Sequence, residues 1–132
     1  MKKIKVPILT EEYAVWVYIG KPEQVRKETS RYLGKEVEKE WNELHRGRTY
    51  QGLNYKKHPL IIINGNLPYP IALATLAHEA SHAVDYIAEF VGITDTSGEF
   101  KGHGIAAIIR GVGKVLKVGG KLPPPFPKKG KT

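Results

Sequence analysis

The sequence predicts an α+β fold, and three observations predict it. Residues 13–19 are short and apolar on both faces, the pattern of a central strand, and 58–64 is another short stretch read as a strand through Leu60, Ile61, Ile62 and Ile63. Residues 70–90 and 99–118 are longer and carry apolar side chains at helical spacing. Glycine and proline separate these stretches. A chain of 132 residues suits one domain around one core.

The elements follow in order. Residues 4–9 (Ile-Lys-Val-Pro-Ile-Leu) read as a first strand, and 13–19 (Tyr-Ala-Val-Trp-Val-Tyr-Ile) as a second, central one that Gly20 ends. Pro22 opens a helix with Glu23 in its first turn, where a carboxylate suits the helix dipole. That helix runs to Leu33 and stops at Gly34. A second charged helical piece spans 35–45, with Val37, Trp41 and Leu44 at helical spacing, and 47–52 reads as a loop. The strand at 58–64, with Leu60, Ile61, Ile62 and Ile63, ends at the Asn64-Gly65 turn. Pro68, Tyr69 and Pro70 lead into a long helix to Phe90, closed by Gly92. In the last helix, Gly102, Gly104, Gly111 and Gly113 each cost about 1 kcal/mol relative to Ala unless they let another element approach closely. From Gly119 the composition turns to Gly, Pro and Lys. Residues 1–119 therefore read as the folded domain, and 120–132 as a basic, proline-rich, disordered tail.

Composition excludes several classes. No run of eighteen apolar residues is present, so no spanning helix and no membrane partner are expected. Thr10, Glu11 and Glu12 interrupt the apolar residues behind the basic N-terminus, so no signal region is read there and a cytoplasmic location is expected. Without cysteine there is no disulfide, and any metal must be held by His, Asp or Glu. The net charge of +8 belongs mainly to the ends, through Lys2, Lys3 and Lys5 and through Lys121, Lys128, Lys129 and Lys131. Such tails bind polyanions weakly and without specificity, or aid solubility.

The chemistry is concentrated in His78-Glu79-Ala80-Ser81-His82, an H-E-x-x-H sequence within the long helix. Histidines four apart lie one turn apart on one face and can share a metal ion, and the intervening glutamate is placed to act on water. With five histidines and eleven glutamates in the chain, chance would produce this pattern about once or twice in a hundred such sequences. Ile71, Leu73, Ala74 and Leu76 before the motif and Ala83, Val84, Ile87 and Ala88 after it suggest a helix buried over most of its circumference. A polar cluster there calls for a partner, and a metal is the simplest one.

A zinc ion poised for hydrolysis takes three protein ligands and a water. His78 and His82 supply two. Glu99, beyond a loop long enough to turn the chain, is the first candidate for the third. Thr96-Ser97-Gly98-Glu99 is equally a capping box in which that glutamate only caps its helix. His103 and Asp85 are rival ligands. His103 and Arg110 are candidates to steady the developing oxyanion, with Tyr69 and Tyr86 behind them. His45 and His58 read as ordinary surface or strand residues.

Residues 75–103 resemble the zincin metallopeptidases, nearest to the gluzincins with a downstream helical glutamate, and also the small zincin-like proteins of tailed bacteriophages and prophages. Glu99 lacks the N-E-x-x-x-D setting of the best-known gluzincins. The resemblance implies a minimal zincin-like domain with a small mixed sheet whose edge strand borders the active-site helix. Leu60, Ile61, Ile62 and Ile63 are the candidate edge for an extended peptide substrate. It further implies a zinc-dependent metallopeptidase: Zn2+ on His78, His82 and Glu99 lowers the pKa of its water to about 7, and Glu79 acts as general base. Two other readings compete. One is a non-catalytic metal-binding protein with a structural or assembly role; the other is a nucleic-acid-associated protein that uses its tails.

Overall fold

The core is built on two strands that lie side by side and parallel. In the computed structural model, which describes residues 1–35, 45–53, 57–94 and 98–116, β2 (Ala14–Gly20) pairs with β4 (Leu60–Asn64) from Trp16 opposite Leu60 to Gly20 opposite Asn64. Side chains on a strand alternate between faces, so each strand feeds two cores. Val15, Val17 and Ile19 point with Ile61 and Ile63 into the larger core, while Tyr18 points with Leu60 and Ile62 into the smaller one. That double burial is why both strands are apolar at consecutive positions.

The sheet order is β1-β2-β4-β3. β1 (Lys2–Pro7) runs antiparallel to β2, and β3 (Gly47–Tyr50) antiparallel to β4. Two sequence expectations are corrected here. Gly47, Arg48, Thr49 and Tyr50, expected within a loop, form the outer strand β3. Leu60, Ile61, Ile62 and Ile63, expected at the edge beside the motif helix, lie inside the sheet with β2 on one side and β3 on the other. The backbone groups of β4 are committed to the ladders on both sides, so no peptide can add there.

Helix α1 (Pro22–Leu33) covers the smaller core. It starts at proline, carries Glu23 in its first turn and Arg31 in its last, and ends at Gly34 in the left-handed conformation with φ 72°. Its Val25 is fully buried, and Tyr32 packs edge-to-face on Tyr18 and donates its hydroxyl to the His58 carbonyl at 2.8 Å.

Helices α2 (Tyr69–Val91) and α3 (Glu99–Leu116) cover the other face. α2 buries Ala72, Thr75, Leu76, Glu79, Ala80, Ala83, Val84 and Ile87, a stripe spaced by three and four. Ala74, His78, His82, Asp85 and Glu89 are exposed along the opposite stripe. The helix is therefore amphipathic, not buried over most of its circumference, because α3 and the sheet meet it along one stripe only. Gly92 caps it with φ 78°. α3 lies close against α2 at Gly104, where a Cβ would fall 2.7 Å from a Val84 methyl, so this glycine serves packing. Among the described residues no helix is long and apolar enough to cross a membrane. Most of the charged piece at 35–45, the Thr96-Ser97 half of the capping box and the tail at 120–132 lie outside the described residues.

Candidate metal centre

His78 and His82 stand one turn apart on the exposed stripe of α2. Their rings meet edge-on, centroids 4.8 Å apart and planes at 86°. The two Nε2 atoms are 3.3 Å apart. Zinc–imidazole bonds of about 2.0–2.1 Å at tetrahedral angles set neighbouring donors about 3.3–3.4 Å apart. The separation matches one edge of such a tetrahedron and is equally that of a hydrogen bond between the two rings, and the His78 side chain is 71% exposed.

Glu79 turns the other way. It projects from the buried stripe toward β3 and is 8% exposed. The Thr49 hydroxyl lies 2.8 Å from its Oε1 and 3.0 Å from its backbone carbonyl. Its other oxygen, Oε2, is 3.9 Å from His78 Nε2. One carboxylate oxygen is held by the sheet, and the second lies on the side of His78. Arg46, Gly47, Ala74, Thr75, His78 and Glu79 line a shallow cleft between the start of β3 and α2.

The remaining candidates are placed differently. Among the described residues no group of three His, Cys, Asp or Glu side chains is gathered into a site that could hold a metal ion. Glu99 is exposed at the first turn of α3 and is not gathered with the histidine pair. That turn does reach α2 near the motif, since Lys101 makes a 3.1 Å ion pair with Asp85, three residues past His82. Asp85 is engaged there rather than with the histidines. His103 and Arg110 are exposed on α3 and do not line the cleft; among the described residues Arg46 does. Tyr86 packs against the larger core, and Tyr69 opens α2.

The two other histidines lie outside the cleft, His45 exposed just before β3 and His58 just before β4. The His45 carbonyl accepts a bond from Asn64 Nδ2 at 3.0 Å. His58 Nδ1 lies 3.3 Å from the Ala14 N–H, which donates to it. Burial, and then the charge of Lys5, push the His58 pKa below its ordinary value.

Sequence reasoning missed Arg46, Gly47 and Thr49, because it placed them in or beside a loop. The available signal was weak: Thr49 and Tyr50 are strand-favouring types between two glycines. Compared with known protein families, with curated proteins and with solved structures, the chain matches none. The functional reading therefore rests on the motif and the geometry around it.

Proposed function

We propose that the protein is a zinc-dependent metallopeptidase, with His78 and His82 as metal ligands and Glu79 as general base. The observation that carries the reading is the 3.3 Å separation of the two Nε2 atoms with the Glu79 carboxylate directed beside them. Bound zinc would supply a Lewis acid that activates a water and polarises the scissile carbonyl. Glu79 Oε2 takes the proton from the water and passes it to the leaving amine. Glu99 is the proposed third ligand, which would hold the metal together with the histidine pair. The Lys101–Asp85 contact supports this, because it shows the first turn of α3 reaching α2 within a turn of His82.

Arg46 takes the oxyanion-stabilising part first assigned to His103 or Arg110, since it lines the cleft beside Glu79. The substrate is an extended peptide laid along β3, which stands outermost in the sheet of described residues and borders the motif helix through Thr49 and Glu79.

The test is Glu79→Gln in the full chain. The variant should bind zinc as the parent does and lose about 10²–10⁴-fold in peptide hydrolysis, the range that general acid–base catalysis contributes. Zinc stoichiometry by calorimetry and cleavage of a mixed peptide library are the two measurements. Hydrolysis retained in the variant overturns the role of Glu79. A parent that binds one zinc and cleaves nothing overturns the peptidase reading in favour of a non-catalytic metal-binding protein.

A further inference from the structure

We propose that Thr49 is the positioning residue of Glu79, holding Oε1 so that Oε2 is the oxygen presented to the histidine pair. The catalytic consequence rests on the metallopeptidase reading above; the contact itself does not.

The packing of β3 on α2 builds this contact. Gly47 meets α2 at Thr75 and Thr49 meets it at Glu79. Two residues along a strand advance about 6.6–6.8 Å, and four along a helix about 6 Å. The strand therefore tracks the helix, and each inward position of β3 meets the next turn of α2. Close approach depends on the missing side chain at position 47. A Cβ there would fall 2.7 Å from Thr75 Cγ2 and 2.9 Å from the Ile62 carbonyl oxygen, and the backbone oxygen cannot yield.

A hydroxyl has one proton to donate. Of its two acceptors on Glu79, the carboxylate oxygen is the nearer and the charged one, so the bond goes there. Branching at Cβ restricts the Thr49 χ1, which makes the hydroxyl a fixed anchor. With Oε1 tethered, rotation of the carboxylate would break a charge-assisted bond, and Oε2 stays on the side of His78, 3.9 Å from its Nε2. A general base held in this way needs no reorganisation before it takes a proton.

Thr49→Val keeps the shape and removes the donor, while Thr49→Ser keeps the donor. In the zinc-loaded full chain, Thr49→Val should lower kcat about 10–100-fold with KM and zinc affinity within about 2-fold, and Thr49→Ser should stay within about 3-fold of the parent. Gly47→Ala keeps the Thr49 hydroxyl but forces β3, and Thr49 with it, off α2, and should reproduce the kcat loss. A second readout needs no activity: a double-mutant cycle of Thr49→Val with Glu79→Ala, by urea unfolding of the metal-free chain. Thr49→Val should raise the unfolding constant about 10-fold beside Glu79 and less than about 2-fold beside Ala. Additive effects in the cycle overturn the proposal whatever the activity. Equal kcat losses for Val and Ser, or a parallel loss of zinc affinity, overturn it as well. If the parent cleaves nothing, the peptidase reading falls, and the cycle alone decides whether Thr49 holds Glu79.

Discussion

Adding one methyl group at two positions of α3 should change stability unequally, raising it at Gly102 and not at Gly104. A Cβ built at Gly104 would lie 2.7 and 2.8 Å from the two Val84 methyls, whereas one built at Gly102 has nothing within 4 Å. Carbon atoms pack best at about 3.5–4.0 Å, so Gly104→Ala must part α2 and α3 by more than about half an ångström or twist Val84 from its rotamer. Valine is stiff at χ1 and fully buried here, which closes the second route. Both substitutions gain about 1 kcal/mol of helix propensity, and only Gly104→Ala pays about 1–3 kcal/mol for overpacking. Propensity cancels in the comparison, so the difference between the two variants isolates the α2–α3 seam. At about 3–4 °C per kcal/mol for a chain of this size, Gly102→Ala should melt about 3 °C above the parent. Gly104→Ala should melt about 3–10 °C below Gly102→Ala. Thermal and urea unfolding of the metal-free chain read both. In a Val84→Ala background the penalty at Gly104 should shrink, since the clashing methyls are gone. If Gly104→Ala instead stabilises the chain as much as Gly102→Ala, the close seam at Val84 is wrong, and with it the placement of the first turn of α3 beside the motif.

Two further outcomes test the site and the fold. Glu99→Gln should weaken zinc binding by more than about 10²-fold, beyond the 10–100-fold typical of outer-shell changes. Asp85→Asn should leave it within about 2-fold and cost less than about 1 kcal/mol of stability, because its pair with Lys101 is solvent-exposed; calorimetric zinc titration of the two variants separates ligand from rival. His58 has its folded pKa lowered from 6.5, first by burial and then by Lys5. The unfolded chain therefore binds more protons in the window below about pH 6.5, and this contribution to stability is complete above that pH and lost as the pH falls through it. Urea midpoints of the parent between about pH 7.5 and 5.5 should drop more steeply than those of His58→Asn, and equal slopes would refute the assignment.

The strands β2 and β4, the helices α1 and α2, and their glycine caps were legible in the sequence because each is written locally. Consecutive apolar residues imply two covered faces, and Gly34 and Gly92 mark ends because the chain turns left-handed there. The spacing of His78 and His82 was legible for the same reason, since one helical turn is a local quantity. β3 was not. Gly47, Arg48, Thr49 and Tyr50 are all of intermediate burial and show no alternation, and they become a strand by pairing with β4. The exposure of α2 was misjudged because alanine serves equally on a buried or an exposed stripe.

The sequence by itself determined the chemistry on offer: two imidazoles one turn apart, a carboxylate between them, and no thiol. Tertiary structure decided how that chemistry is deployed. It turned the histidines to solvent and the glutamate to the sheet, because the core-facing stripe of α2 passes through Glu79 and misses His78 and His82. It also supplied Thr49 from β3 and Arg46 from just before it, about thirty residues earlier in the chain. A side chain's partner across a sheet–helix interface is set by register and by the closeness that one glycine permits, and neither is written at the position of the motif.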